Sequence, residues 1–480
     1  MRDAFQKHKY LLRTYLLFLS CYSLLSFFRH FSLQSGVYDL GLFTQWSYLS
    51  GIGEFWTPSS LTEFIKPALG DHFSLLLIPI GQLFRLLPSA YTLLFLQSAG
   101  LALLATLFLR ELFQSFSSRH SRRMITIGLL LNPFLMNSSL NDFHPEVAFA
   151  FLGLAALIYL RRKKYLVSVV FLMMFVASKE AMAFFAIGYS LYSLLRRHVW
   201  LSAAVMGFAL YYFAFSSSIV DAYQSYASTR YGHLGDGYVD ILASPFIRPA
   251  HFWSAFVNRD SFLYLLGLLT PFVALYRWPQ VIPAVVAVIP LVFANILSES
   301  DVMRSPIYQY QIPVLIFLMV AALDSAKCTI SPYSSTFSLA RIRLYLVLSV
   351  ISFSMLTQWS FFPTRYLQHW RLAPSLFEYG REYSSPRISV WAHERIASHF
   401  SGRRQIFYRE KDLLDKDFDI LITPAIQPAA APSNLLEKLR NFVFSYGDAD
   451  EFMESENILK VARSRGYKCH GLRIVVCKKY

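Results

Sequence analysis

The 480-residue chain is 55% apolar, 17% aromatic and only 16% charged, and its 45 Lys+Arg against 30 Asp+Glu give a net charge of +15. A soluble protein would carry about a quarter charged residues, so a single soluble enzyme and a disordered chain are excluded, as is a β-barrel porin with its short alternating strands. The deficit is uneven: residues 1–360 hold 26 Lys+Arg and 16 Asp+Glu, the last 120 hold 19 and 14, so a membrane bundle precedes an ordinary soluble domain.

The N-terminal run KHKYLLRTYLLFLSCYSLLSFF starts basic and turns apolar. No small-x-small cleavage site follows it, and FLSC before Cys21 is a poor lipobox, so it predicts an uncleaved first membrane helix. Further apolar segments near the ~20 residues of a span fall at about 90–109, 124–140, 146–160, 165–178, 181–195 and 198–220. Four more fall at about 261–276, 280–297, 308–323 and 343–361, which makes eleven spans in all. The stretch 73–88, FSLLLIPIGQLFRLLP, is short, holds Arg85 and contains two prolines, so it reads as an interfacial or re-entrant helix.

Charge tests that choice. With the N-terminus inside, the inner segments carry 18 Lys/Arg in about 60 residues, against 8 in about 120 residues outside before residue 362, as the positive-inside rule requires. The positive charge therefore lies in short runs between spans, which does not suit a nucleic-acid surface. Counting 73–88 as a span would turn the basic runs 110–123 and 161–164 outward. Acidic residues were not used in the assignment, and 13 of the 16 in residues 1–360 fall outside. Spans do not need outward carboxylates; a site does.

Two outer loops are long, 29–89 and 221–260, and both are rich in Tyr, Trp, Gly and Pro. The expected organisation is a multi-span domain at 1–361 and an extracytoplasmic α/β domain at 362–480. In the latter RQIFYRE (404–410), FDILITP (418–424) and LRIVVCKK (472–479) read as strands and SNLLEKLRNFVFSY (433–446) as a helix. Cys469 and Cys477 would pair only if that end lies outside the reducing cytoplasm. There is no Walker loop, zinc-finger spacing or internal repeat.

Charge at membrane depth costs several kcal/mol, so ionisable groups there face a cavity or a partner. In chain order the candidates are Asp39 in SGVYDLGLFTQW, Asp71-His72, the triplet Asp142, His144 and Glu146 in NDFHPE, and Lys179-Glu180 in VASKEAMAFF. Asp39 also suits a solvated loop. Pro145 should start a helix, with Glu146 in its first turn and helix capping as the plainer role of Asp142 and Glu146. A mutual ion pair is the plainer role of Lys179 and Glu180; the alternative is that Lys179 binds an anion while Glu180 orients it. Arg304, Arg230, the loop acids Asp221, Asp236 and Asp240, and the run YQYQ (308–311) are weaker candidates. His and carboxylate groups would suit a divalent cation, although no metal-specific spacing is present.

The segments YDLGLFTQ (38–45), DHFSLLLIP (71–79), NDFHPE (141–146) and SKEAMAFF (178–185), with ISVWAHERIASHFSGRRQIFYRE and FDILI (388–422), resemble the bacterial membrane-protein family catalogued as domain of unknown function 2079. That family is similar to the GT-C glycosyltransferases, which include the protein O-mannosyltransferases and the lipid A aminoarabinose transferase. The resemblance implies an all-α polytopic GT-C-like bundle in the bacterial inner membrane. It also implies a catalytic Asp in the first outer loop, an interfacial helix after it and a polyprenyl-phosphate sugar donor. Asp39 matches the loop Asp, 73–88 the interfacial helix, and Lys179 a Lys before the sixth span. The chain departs from the family's commonest pattern at His72, which is followed by Phe73-Ser74 instead of two prolines and a Leu, and no second-loop Asp pair is matched. The activity expected is outer-face transfer of the sugar by inverting single displacement. Asp39, Lys179 and Glu180 are the expected catalytic groups, with His72, Asp142, His144, Glu146 and Arg304 binding substrate. Against it stand a transporter or flippase for an anionic or lipid-linked substrate and a non-catalytic assembly protein.

Overall fold

The computed structural model describes residues 2–62, 66–116, 118–223, 226–326, 337–358, 372–424, 449–471 and 474–479. Five of its helices are long and apolar enough to cross a bilayer: Lys9–Phe31, Ala90–Ser115, Val199–Asp221, Gln309–Ala326 and Leu339–Leu356. Shorter apolar helices include Ala150–Arg161, Tyr165–Val176, Glu180–Leu195 and Ile282–Leu297. The chain is thus an all-α membrane protein with a small sheet near its C-terminus. It divides into two compact units, Met1–Ser23 with Leu69–Leu76 and Leu96–Thr357, and Leu24–Ala68 with Leu77–Phe95 and Gln358–Tyr480.

In the first unit, every residue of Ile312–Ala326 is buried, as expected of a helix that is apolar on all sides. Leu339–Leu356 is only 22% buried and leaves Leu344, Val347 and Ile351 exposed, a face suited to lipid. The single span expected at 124–140 is instead two helices, Arg119–Leu130 and Pro133–Leu140. Asn132-Pro133 breaks it: proline cannot supply the backbone N–H that a continuous helix needs. It serves instead as the first residue of a new helix, whose Phe134 and Leu135 amides donate to the Asn132 side chain.

Helix ends in this unit sort by charge. Ala150–Arg161 follows Glu146 and ends on Arg161, and Glu180 precedes Ala183–Leu195, which is followed by Arg196. At the basic ends, Asp324 accepts from Arg161 Nε at 2.9 Å and from the Tyr192 hydroxyl at 2.9 Å, and it also pairs with Arg196. Glu111 joins Arg110 and Arg162 at the same ends of their helices. Basic runs far apart in sequence therefore meet around two carboxylates, and Glu146 and Glu180 stand at the opposite ends of the helices that lead to Arg161 and Arg196.

In the second unit, Leu77–Leu86 is an amphipathic helix of ten residues that buries Leu77, Ile80, Gly81 and Phe84 and exposes Leu86. Leu87-Pro88 stops it, since a residue before proline avoids the helical region. It packs on Leu42–Gly51 through two glycines: a Cβ on Gly51 would meet the Gly81 carbonyl oxygen at 2.6 Å, and one on Gly81 would meet the Gly51 nitrogen at 2.7 Å. The C-terminal sheet comprises β1 (Val390–Ala392), β2 (Ile406–Phe407), β3 (Ile420–Pro424), β4 (Tyr467–His470) and β5 (Ile474–Lys479) in the order β2-β1-β3-β5-β4. The first three strands are parallel, while β5 runs antiparallel to β3 and pairs with β4. Trp391, Leu421 and Val475 pack with Ile458 and Ala462 of the helix Ala449–Ser464. All three expected strands are present within their bounds, and β1 and β4 are additional. The helix expected at 433–446 lies outside the described residues. Cys469 and Cys477 face each other across β4 and β5 and form a disulfide.

Candidate functional site

The acidic helix ends of the first unit converge on Lys179. The helix Tyr165–Val176 ends at Ala177, and Lys179 then takes an extended conformation before the short turn Glu180–Met182. This break in the helical ladder turns two successive side chains in different directions. Lys179 Nζ donates to Glu146 Oε1 at 3.1 Å, whereas Glu180 accepts from His72 Nδ1 at 3.1 Å and from the Phe73 amide at 2.9 Å. The two neighbours therefore do not pair with each other; each closes a contact distant in sequence. Lys179 and Glu146 are 5% and 3% exposed, so this ion pair is buried.

Three carbonyl contacts hold the site's backbone. The Leu76 amide donates to the Ala177 carbonyl, and the Tyr212 hydroxyl donates to the carbonyls of Val176 and Phe73. The NDFHPE turn is fixed by the buried side chain of Gln97. Its amide nitrogen donates to the carbonyls of Ser138, Asn141 and Asp142, and its oxygen accepts from the His144 amide at 2.8 Å. Helix Pro145–Ala148 begins where the sequence predicts, and Glu146 enters the cluster from its first turn.

A third segment closes the site. Asn137 donates to the carbonyls of Pro306 and Leu356, and Asn141 to that of Ile307, so the chain before the span at Gln309–Ala326 is tied to the end of helix Pro133–Leu140. Tyr310 is thereby presented to two cations: Lys179 Nζ and the Arg230 guanidinium each lie 5.8 Å from the centre of its ring. His72, His144, Glu146, Lys179, Glu180, Arg230 and Tyr310 are thus joined in one network of electrostatic contacts. The second oxygen of the Glu146 carboxylate, Oε2, is buried and has no hydrogen-bond partner among the described residues.

Of the sequence candidates, His72, His144, Glu146, Lys179 and Glu180 come together. Asp142 belongs to the same turn and is buried; its carbonyl accepts from His144 Nδ1 at 3.0 Å. Arg304 lies elsewhere in the unit, paired with Asp301 on the wall of a cavity. Asp39 belongs to the second unit, in a single π-helical turn at Val37–Gly41, a geometry often found at functional positions. That turn packs on the helix Glu394–Phe400 and the residue after it: a Cβ on Gly41 would meet Ser401 Oγ at 3.2 Å. Arg230 and Tyr310 were the weaker candidates in sequence, and Gln97 was not singled out at all. A neutral amide inside an apolar run was the signal available for Gln97. Among the described residues no three His, Cys, Asp or Glu side chains group so as to hold a metal ion.

His399 of the second unit stacks on the buried His30, with ring centres 3.8 Å apart, and its Nε2 donates to the His30 carbonyl. Burial pushes the His399 imidazole down to about 4, although the hydrogen bond favours its protonated form.

Comparison with known proteins completes the description. Two solved structures, of ArnT from Cupriavidus metallidurans bound to undecaprenyl phosphate and in the apo state, are similar at 11% and 12% identity. Each comparison covers 96% of this chain and 97% of the other, with a TM-score of 0.49. No curated protein matches. The model of a family described as predicted membrane protein, DUF2079, matches residues 29–421. With most of its length matched, the chain belongs to the DUF2079 family of membrane proteins.

Proposed function

We propose that this protein is a glycosyltransferase of the inner membrane that moves a sugar from a polyprenyl-phosphate donor to an acceptor on the outer face. The observation that carries the reading is the Lys179–Tyr310–Arg230 arrangement: two cations over one aromatic ring, beside carboxylates, at the ends of apolar helices. A lipid phosphate needs such a place, because negative charge grows on the leaving group in the transition state and preorganised cations stabilise it there. The buried Glu146 pairs with Lys179 and holds its ammonium in place.

The chemistry is one displacement. The acceptor hydroxyl attacks the anomeric carbon, its proton passes to a carboxylate, the bond from that carbon to the phosphate oxygen breaks, and polyprenyl phosphate leaves. The configuration inverts, and no covalent enzyme intermediate forms. Asp39 is the first choice of base. Glu146 is the second choice, and a specific observation favours it: its Oε2 is buried and without a hydrogen-bond partner, so it is available to accept a proton. The outer sheet domain recognises the acceptor.

Transfer from a labelled polyprenyl-phosphate sugar, measured in proteoliposomes, tests the reading. Lys179→Ala should lower both donor binding and rate, whereas Asp39→Asn should lower rate alone. Matched losses of binding and flux in both variants would instead identify a flippase. Full transfer in both variants would remove Lys179 and Asp39 from the mechanism, and no transfer by the parent protein would leave a scaffold.

A further inference from the structure

We propose that a second cavity in the first unit, of about 370 Å³, binds the headgroup of an ethanolamine phospholipid. Its volume is in the range of small-molecule sites, and it shares no residue with the Lys179 cluster. Its lining includes the apolar Phe134, Leu263 and Leu356 and the charged Asp260, Asp301 and Arg304.

Position identifies the medium. Leu356 is the last residue of the span Leu339–Leu356, so the cavity lies where hydrocarbon gives way to headgroups. Beside it Phe262 and Met355 are 64% and 77% exposed, which suits a flank bathed in acyl chains. Arg304 is held by backbone: it donates to the carbonyls of Ile296 at 3.1 Å and Ser298 at 3.4 Å, and it also pairs with the exposed Asp301. A guanidinium has five N–H donors, so it can meet a phosphate while the two backbone contacts persist.

Charge selects the lipid. One guanidinium and two carboxylates sum to minus one, which opposes an anionic headgroup. A phosphate beside Arg304 together with an ammonium between Asp260 and Asp301 satisfies all three side chains. Asp301 is 88% exposed at its side chain and free to turn from the guanidinium toward that ammonium. Ethanolamine supplies N–H donors to the carboxylates, and choline supplies none. Gly267 keeps the wall open: a Cβ there would stand 3.4 Å from a Leu356 methyl, in ordinary contact, while a longer side chain would enter the cavity.

Native mass spectrometry of the full chain, titrated in detergent with dioleoyl lipids of ethanolamine, choline and glycerol headgroups, tests the assignment. One ethanolamine lipid should be retained about tenfold more tightly than either of the others, the scale of one charge-assisted contact. Arg304→Ala and Gly267→Leu should each erase that preference, while Gly267→Ala retains it and serves as the control for folding. Asp260→Asn should narrow the preference for ethanolamine over choline. Equal retention of the three lipids, an unchanged preference in Gly267→Leu, or displacement by soluble phosphoethanolamine alone would overturn the proposal. Donor transfer in Lys179→Ala is a separate measurement, so the two readings fail independently.

Discussion

The Lys179–Glu146 pair is buried, and at a single residue its structural and chemical roles can be separated. Removing one partner of a buried pair costs about 3–5 kcal/mol, because the other charge is left unpaired; replacing both by neutral groups of similar shape is often nearly neutral. Lys179→Met alone should therefore unfold at lower temperature in detergent, and the double variant Lys179→Met/Glu146→Gln should recover most of that loss. Neither should transfer sugar, since the phosphate counter-charge is gone in both. Recovery of transfer along with stability would make the pair purely structural. For the base, Asp39→Asn keeps the side chain's size but removes proton acceptance, so turnover should fall about 10²–10⁴-fold with donor binding retained. If Asp39→Asn is as active as the parent, Glu146→Gln becomes the variant that must lose turnover.

Among the elements, the close approach of Gly100 to Ala148 fixes where Glu146 sits. A Cβ on Gly100 would lie 1.8 Å from the Ala148 carbonyl oxygen, a contact no side-chain rotation relieves. Gly100→Ala must push helix Pro145–Ala148 outward, so it should lower both thermal stability and donor binding although it touches no charged group; unchanged donor affinity would show that the turn is not held from this side. Titration reads the helix Glu394–Phe400. The His399 imidazole is pushed down to about 4 from an ordinary 6.5, so the unfolded chain holds more protons between those values. Stability of the second unit should be full above pH 6.5 and fall as the pH drops toward 4, and His399→Gln should flatten part of that slope in pH-dependent melting. The helices and the charge-bearing turns were legible because apolar length and the placement of Lys, Asp and Glu are local features of the chain. The pairings were not: Lys179 meets Glu146 and Glu180 meets His72 across 33 and 108 residues, and no periodicity encodes such a match. Tyr310 and Arg230 are ordinary residues in their own segments; the asparagine clamps from Asn137 and Asn141 hold the chain just before Tyr310, and Arg230 joins the site through that ring. The break at Asn132-Pro133 was readable from proline chemistry but was hidden by the continuous hydropathy around it.

For the whole molecule, the open question is which helix ends face out. The basic runs at 110, 161–162 and 196 meet around Glu111 and Asp324, which agrees with their assignment to one side. The positive-inside rule, applied to the eighteen Lys/Arg expected on that side against eight on the other, predicts that it is the cytoplasmic one. The disulfide of Cys469 and Cys477 bears on the same question from the other end of the chain, since such bonds persist outside the reducing cytoplasm. Both lines predict that reporter fusions after residues 330 and 440 report opposite sides, with 440 outside. They also predict that, of the four cysteines, only Cys21 and Cys328 take up an alkylating probe when the protein is denatured without reductant. Four labelled cysteines together with an inner reporter at 440 would place the sheet domain in the cytoplasm. The parity set by the interfacial helix Leu77–Leu86 would then be wrong, and Lys179 would stand on the side of nucleotide-linked rather than lipid-linked sugars. An outer 440 with two protected cysteines leaves Lys179, Glu146 and His72 where a polyprenyl-phosphate sugar can reach them from the outer leaflet.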